Sequence, residues 1–421
     1  MPGAEELVYE VFLALGLALI VGRLFEELFA RLGTPPVLGD LVAGLILGKT
    51  LLCVFPTTDI VKTLSWFGIS ILLFYAGLET RYREFIRNLP VYGLVTVGEV
   101  IAAFSIGYLV GRFFGYTGSR AYFIGTILVA TSVSLSVRAL MEIGKLSSLE
   151  GRTILGIAVL DDLAALIIIV AGISLAKSGT FSVLDMLRVV VVALTTWLAT
   201  VFILHKASNS ITKFAVKLHV EGSLLAIILG CFATLAYLMK YVGISYLVAA
   251  YATGLAFSEA RGIRRIAENV KSLAMPFSVL FFMMTAAAID LKTVVKPEYM
   301  IFYILMLSAA FAGKLIGGGL TSFLVGYPLP SAVRVAVGLF PRAEFCVVAA
   351  YFAVSGGILG PEAYLAALLI VLATNFLTPP LLKVVYLKGP EVTTITPRWS
   401  RLISRIRTKL HGSRPGDPHG A

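Results

Sequence analysis

Thirteen apolar segments, separated by short polar connections, follow one another along almost the whole chain. A segment of about twenty apolar residues is long enough to cross the hydrocarbon core of a bilayer as a helix. The chain is 58% apolar and only 14% charged, so a soluble globule could not cover its core with polar surface. The pattern predicts an all-α polytopic membrane protein with thirteen transmembrane helices. The predicted extents are 7–31, 36–50, 58–80, 89–113, 120–142, 151–176, 183–205, 221–239, 243–258, 270–290, 298–325, 330–355 and 362–386.

The positions of the basic residues indicate how these segments are oriented. The basic residues cluster in the connections and in the tail, and all these clusters lie on one side if successive segments alternate. Because positive charge collects on the cytoplasmic side of a membrane, we expect the amino terminus outside and the carboxyl terminus in the cytoplasm. This pattern accounts for the formal net charge of +11, so nucleic acid is not an expected partner.

Asp161 and Asp162 are adjacent carboxylates in the middle of an apolar segment, GIAVLDDLAALIIIVAGISLA. A charged carboxylate at the centre of a membrane helix is costly, and in transporters such a residue usually faces water, a cation or a counter-charge. Neighbouring helix positions point about 100° apart, so the two aspartates can have different partners. An intramembrane aspartyl protease is not expected, because its two catalytic aspartates must flank one scissile bond from different helices.

Lys314 is a second charge within an apolar segment, FAGKLIGGGL. A buried lysine is tolerated beside a carboxylate, and either Asp161 or Asp162 could provide it. The other aspartate would then face a water-filled cavity. A carboxylate, a hydroxyl, a main-chain carbonyl and water would suit a small hard cation such as Na+. Protons would compete for the same carboxylate.

An internal repeat relates segments two to five to segments nine to twelve. DLVAGLILG parallels AYATGLAFS, which aligns Gly44 with Gly254. Further along, GEVIAAF parallels GKLIGGG, which puts Glu99 opposite Lys314 as a candidate counter-charge. Because an odd number of segments separates the two copies, they must enter the membrane in opposite directions. Inverted repeats are typical of alternating-access carriers.

Two of the repeated segments carry signals for a helix interruption. LVATSVSLSVRAL concentrates hydroxyl side chains, including Thr131 and Ser132, that can satisfy main-chain groups where a helix unwinds. GLFPRAEF contains Pro341, which removes a main-chain donor and clashes with the preceding turn. Two crossed broken helices would point their end dipoles at one another. Arg342 and Glu344 are therefore predicted to compensate those helix dipoles.

Six short sequences together resemble the cation:proton antiporter superfamily: LDDLAAL, ATS, PPVLGDLVAGLILG, LLFYAGLE, FAGKLIGG and PRAEF. Their order and spacing are most similar to the electrogenic sodium/proton antiporters of the NapA and NhaA type. The resemblance covers the chain up to about residue 386. It implies an NhaA-like fold of thirteen helices, with inverted repeats and two crossed broken helices. It also implies a transporter of a prokaryotic plasma membrane, not an enzyme, with no cofactor.

The resemblance implies roles for individual residues as well. Asp162 becomes the carboxylate that binds the metal ion Na+ and protons in turn, and Asp161 becomes the partner of Lys314. Thr131 and Ser132 lie near the ion at the crossover of the broken helices. The implied activity is export of cytoplasmic Na+ or Li+ in exchange for protons, with net movement of charge.

The resemblance further implies a homodimer that works as an elevator, in which a mobile core domain moves against a dimerisation domain. Residues 1–57 are assigned to the dimerisation domain and 58–180 to the first half of the core. Residues 181–268 are assigned to a linker helix and the second half of the dimerisation domain, and 269–386 to the second half of the core. Residues 387–421 are expected to form a basic, disordered cytoplasmic tail.

Two related transport activities stay open at this point. Potassium could replace sodium as the exchanged ion, because ligand geometry sets which ion fits. A sodium-coupled organic-anion symporter shares the crossed-helix architecture, but it would not need Lys314 beside paired carboxylates. The lipid bilayer, Na+ and protons are the expected partners.

Overall fold

The structure, a computed structural model, describes residues 4–178, 183–242, 244–294, 296–342 and 344–387, and within them it is all-helical. The helices are α1 Ala4–Leu17, α2 Arg23–Arg31, α3 Val37–Leu47, α4 Asp59–Glu79, α5 Tyr82–Phe113, α6 Gly118–Ile127, α7 Val133–Glu142, α8 Leu149–Ser178, α9 Val183–Lys217, α10 Ser223–Met239, α11 Tyr246–Phe257, α12 Ile263–Ala287, α13 Leu291–Val294, α14 Met300–Lys314, α15 Thr321–Val325, α16 Leu329–Gly338, α17 Glu344–Ser355 and α18 Pro361–Leu387. The π-helical turns Ala18–Gly22 and Leu315–Leu320 join α1 to α2 and α14 to α15, and two 3-10 turns are Lys240–Val242 and Pro297–Tyr299. The tail beyond residue 387 and the predicted boundary at 180/181 lie outside the described residues.

The described residues include six continuous helical stretches that are long and apolar enough to cross a membrane. They are Glu5–Arg31, Asp59–Glu79, Tyr82–Phe113, Ile263–Ala287, Pro297–Val325 and Pro361–Leu387. Each predicted apolar segment contains a helix, and four segments contain a pair of helices each. The prediction of an all-helical polytopic membrane protein is therefore confirmed.

Several helix bounds differ from the predicted extents because apolar composition marks only the part of a helix that suits lipid. Helix α9 continues to Lys217, twelve residues beyond its predicted end, so His205 lies well within the helix. Its ring stacks on Tyr82, with 3.7 Å between ring centroids. Helices α3 and α11 have only 11 and 12 residues. At 1.5 Å per residue each is shorter than the roughly 30 Å hydrocarbon core.

Helix α4 packs along α11 and α12, and glycine allows the closest approach. A Cβ atom on Gly254 would lie 2.9 Å from both the Cα of Gly77 and the main-chain nitrogen of Leu78. Gly44, the residue that the repeat aligns with Gly254, meets α12 in the same way, since its Cβ would lie 2.9 Å from the Cα of Met283. These two glycines bring main chains together where any side chain would separate them.

Gly254→Ala is expected to destabilise the protein by about 1–3 kcal/mol, the usual effect of adding a methyl group to a packed contact. The added carbon must push α4 away from α11, because the atoms it meets belong to main chain. Thermal unfolding in detergent measures the effect. Gly230→Ala in α10 is the matched control, because nothing lies within 4 Å of a Cβ there. Equal melting temperatures for the two variants would contradict the prediction.

Candidate ion-binding site

The two interrupted segments contact each other at their breaks. Helix α6 ends at Ile127 and α7 begins at Val133, while α16 ends at Gly338 and α17 begins at Glu344. The main-chain N–H of Ser132 donates a hydrogen bond of 2.8 Å to the carbonyl of Pro341. The Ser136 hydroxyl donates to the Gly338 carbonyl at 2.7 Å. Hydroxyl groups, and hydrogen bonds between the two interrupted segments, thus satisfy main-chain groups that have no partner within their own helices at the breaks.

Arg342 lies between the carbonyl ends of both breaks. Its guanidinium donates to the carbonyls of Ala130 at 3.2 Å, Leu339 at 3.4 Å and Ala310 at 3.0 Å, and the side chain is fully buried. Ala130 follows α6 and Leu339 follows α16, so the cation faces the negative ends of two helix dipoles. The side chain of Glu344, the second residue expected to compensate the dipoles, lies outside the described residues.

Asp161 and Lys314 form a fully buried ion pair beside the first break. The Lys314 Nζ lies 2.7 Å from Oδ2 of Asp161, and the Thr131 hydroxyl donates to the same oxygen at 2.5 Å. Lys314 also donates to the carbonyl of Val129 at 2.5 Å, which anchors the ammonium to the unwound chain. The residues alone allowed either aspartate to pair with Lys314, and the family resemblance implied Asp161. In the structure Lys314 pairs with Asp161.

Glu99 places a second carboxylate on Lys314. It is fully buried on α5 and forms an ion pair with the same ammonium group. Helices α5 and α14 come close enough for this pair because Gly313 lies against Ala103, whose Cα would be 2.7 Å from an added Cβ. The repeat had put Glu99 opposite Lys314 as a candidate counter-charge. Lys314 therefore has two anionic partners, one of which does not belong to the aspartate pair.

Asp162, the next residue on α8, is only 4% exposed. Adjacent positions on a helix are about 100° apart, so Asp162 starts from a different face of α8 than Asp161. Ser132 is 3% exposed at the start of α7, where its hydroxyl accepts from the N–H of Leu135 at 3.4 Å. The structure thus collects Thr131, Ser132, Asp161 and Lys314 at the breaks, and it places Asp162 next to them in the chain.

A second buried charged cluster was not expected from the sequence. Arg138, near the end of α7, donates from Nε to Glu142 at 2.7 Å and also pairs with Glu26 of α2. The available signal was an arginine inside a predicted apolar segment, which requires a buried anion nearby. One of its two partners, Glu26, lies 112 residues earlier in the chain. Sequence spacing gives no indication of such a contact.

Comparison with known proteins gives the family. Residues 15–387 match the family described as the sodium/hydrogen exchanger, transmembrane. The chain belongs to the sodium/hydrogen exchanger family. Members are transporters, so the protein is not an enzyme, as the sequence predicted. The resemblance to the cation:proton antiporter superfamily is confirmed.

The chain aligns with several curated relatives over nearly the whole length of those relatives. A probable Na+/H+ antiporter of Bacillus cereus, GerT, is 32% identical over 87% of this chain and 96% of its own length. GerN of the same organism, named a Na+/H+-K+ antiporter, is 31% identical over 89% of this chain and 96% of its own. The Synechocystis protein NhaS3, named a high-affinity Na+/H+ antiporter, is 28% identical over 89% of this chain and 90% of its own.

The fold of this exchanger is similar to that of a solved sodium/proton antiporter, MjNhaP1 from Methanocaldococcus jannaschii at pH 8. The TM-score is 0.67 over 90% of this chain and 99% of that one, with 18% identity. At this level of identity the comparison shows a shared fold.

Proposed function

We propose that this exchanger is a sodium/proton antiporter that exports cytoplasmic Na+ or Li+ in exchange for protons by alternating access. The observation that carries the proposal is the buried Asp161–Lys314 pair, adjacent to Asp162, where two helix interruptions meet. Such a site holds oxygen ligands for a hard cation and carboxylates that protons can neutralise. The names of the curated relatives support the same activity.

In this proposal Asp162 binds Na+ and a proton in turn, and Thr131, Ser132 and unwound carbonyls supply neighbouring oxygens. Asp161 and Lys314 form the second titrating position, because a proton on Asp161 separates the pair. Arg342 holds the negative helix ends together while the site changes occupant, and Glu344 is assigned to the same compensation. The transported Na+ and protons are substrates, and no cofactor is needed.

The proposed cycle uses one site open to each side in turn. Protons load the site from outside and are released in the cytoplasm, where Na+ replaces them. If two protons enter for each Na+ that leaves, positive charge moves inward with every cycle. The membrane potential, worth about 2.3 kcal/mol per charge at 100 mV, then contributes to the driving force.

The finer architecture belongs to the same proposal. Thirteen membrane crossings in an NhaA-like fold, with two inverted repeats, would place the two breaks at mid-membrane depth. Residues 1–57 and 181–268 would form the dimerisation domain of a homodimer in a prokaryotic plasma membrane. Residues 58–180 and 269–386 would form the moving core. The amino terminus would lie outside and the basic tail in the cytoplasm.

Potassium is the second candidate substrate, and a specific observation favours keeping it. GerN, named for both Na+ and K+, covers this chain as fully as the relatives named for Na+ alone. Proteoliposome flux measurements with Na+, Li+ and K+, read with pH- and voltage-sensitive dyes, test the proposal. We expect Na+ and Li+ to drive proton movement with a current. Proton movement with K+ alone would establish the second candidate, and no cation-driven proton movement would refute both.

Asp161→Asn is expected to keep sodium/proton exchange but to lose net charge movement. The amide cannot take a proton, so only Asp162 titrates and one proton balances one Na+. Lys314 keeps Glu99 as its partner, so the variant retains a paired ammonium group. Exchange and current are measured in the same proteoliposomes. An unchanged ratio of current to Na+ flux would contradict the assignment of Asp161.

A further inference from the structure

Asn375 is a buried polar residue outside the site just described. It lies near the middle of the 27-residue helix α18 and is only 4% exposed. Its side-chain oxygen Oδ1 is buried and has no hydrogen-bond partner among the residues that the structure describes. A buried acceptor without a donor is unfavourable, and polar residues at this depth of a membrane helix usually serve transport. The oxygen is therefore available to a ligand.

The internal repeat sets Asn375 against Asp162. Helices α7 and α17 follow the two breaks, and α8 and α18 are the next helices in the two copies of the repeat. Counted from the first residues of α8 and α18, Asp162 corresponds to Thr374. The two adjacent aspartates of α8 therefore correspond, to within one residue, to Thr374 and Asn375 of α18.

Contacts at the two breaks settle this alignment. A threonine hydroxyl at the first break donates to Oδ2 of Asp161, at 2.5 Å. The main-chain N–H of Arg342 at the second break donates to the hydroxyl of Thr374, at 3.1 Å. Each of these two acceptors is followed by a residue that is 4% exposed, Asp162 on α8 and Asn375 on α18. Asn375 is thus the counterpart of Asp162 in the second half of the protein.

Two prolines leave further oxygen atoms without a helical donor near Asn375. Pro379 and Pro380 lie within α18, and neither has a main-chain N–H. In a regular helix this N–H would bond the carbonyl four residues earlier, which here belongs to Asn375 and to Phe376. One side-chain oxygen and two main-chain oxygens therefore lack the donors that a regular helix would give them.

Asn375 lies on the face of α18 that meets the boundary between the two parts assigned above. Leu382, seven positions later and therefore in nearly the same direction, packs with Ala139 of α7. Leu372, three positions earlier, belongs to a cluster that includes Leu45 of α3. Asn375 thus lies between α7, assigned to the core, and α3, assigned to the dimerisation domain. A cation that moves between these parts at mid-membrane depth comes within reach of its oxygen.

We propose that Asn375 forms a neutral subsite for the transported alkali cation, paired by the repeat with Asp162. The subsite rests on the proposed function and its inverted repeat. Amide and main-chain oxygens are suitable ligands for a hard cation such as Na+ or Li+. An amide takes up no proton, so this subsite binds the cation without adding to the protons exchanged. Asn375 sets how tightly the cation is held, while Asp162 exchanges it for a proton.

Asn375→Leu tests the subsite, because leucine has a similar size and no side-chain oxygen. In proteoliposomes the KM for Na+ should rise about tenfold, as expected when a contact to a charged group is removed, while the maximal rate stays within about twofold. The current per Na+ should stay the same, because no titrating group is lost. Asn375→Asp should keep a KM close to that of the unmodified protein, since a carboxylate offers an oxygen at the same place. Asn269→Leu, the same change at an exposed asparagine of α12, is the matched control and should not alter the KM.

Thermal unfolding in detergent gives a readout that does not depend on transport. Na+ should raise the melting temperature of the unmodified protein, and half of this rise should need about tenfold more Na+ in Asn375→Leu, because a bound ligand stabilises the folded state according to its affinity. Without Na+ the variant should melt no lower than the unmodified protein, since it removes an oxygen that has no donor. An asparagine with a purely structural role would lower the melting temperature when replaced. If Asn375→Leu fails to fold, Asn375→Ala provides the same comparison.

Three results would overturn the subsite. The first is an equal Na+ dependence of melting in Asn375→Leu and the unmodified protein. The second is a lower maximal rate at an unchanged KM, and the third is a changed current per Na+, which would assign Asn375 to proton exchange. Absence of Na+-driven proton movement in the unmodified protein would refute the proposed function, and the Na+ dependence of melting would still decide the subsite.

Discussion

Asp162→Asn is expected to reduce cation-driven proton movement to the level of protein-free liposomes. The amide cannot release or accept a proton at this position, and it cannot offer a charged ligand to Na+. A hydrogen bond to a charged group contributes about 1 kcal/mol or more beyond a neutral one, which corresponds to roughly a fivefold or larger loss of cation occupancy. The loss of the proton-binding group removes the exchange itself. Dye-based flux in proteoliposomes measures both effects.

The matched control for this variant is Asp59→Asn, the same chemical change at an exposed carboxylate in the first turn of α4. It should transport like the unmodified protein. Both variants should also melt at similar temperatures, which would separate a loss of transport from a loss of fold. Substantial remaining Na+-driven proton movement in Asp162→Asn would refute the central role of this carboxylate.

The contrast between Asp161 and Asp162 shows what the sequence could predict about the site. The positions of the helices follow from long apolar runs, and the second interruption follows from Pro341, since these signals are local. Two adjacent aspartates in such a run predicted a transport site. Which of them meets Lys314 depends on how α14 is rotated against α8, and residue spacing does not encode that rotation.

The partners of the remaining buried charges show why the rest required the structure. The repeat made Glu99 a candidate counter-charge of Lys314, but the pair itself depends on packing, because glycine and alanine let α5 and α14 approach. Arg138 pairs with Glu26, which lies 112 residues earlier in the sequence, because the tertiary packing brings the two helices together. A buried charge in an apolar segment predicts that a counter-charge exists. It does not say which helix supplies it.

Lys314 has two carboxylate partners, and its loss should therefore affect stability strongly. Asp161 and Glu99 both lie fully buried and both pair with its ammonium group. Removing one partner of a buried ion pair usually costs about 3–5 kcal/mol, because the remaining charge is left uncompensated. Here one substitution would leave two like charges facing each other. Their repulsion can be relieved only by protonation.

Lys314→Met is therefore expected to lower the free energy of unfolding by at least about 3–5 kcal/mol at neutral pH. The loss should shrink as the pH is lowered, because protons on Asp161 and Glu99 remove the repulsion. Adding Glu99→Gln to the variant should recover part of the stability, since only Asp161 then lacks a counter-charge. Lys292→Met, at an exposed lysine of α13, is the matched control and should melt like the unmodified protein. A Lys314→Met protein that is equally stable at every pH would mean that the buried carboxylates do not depend on this lysine.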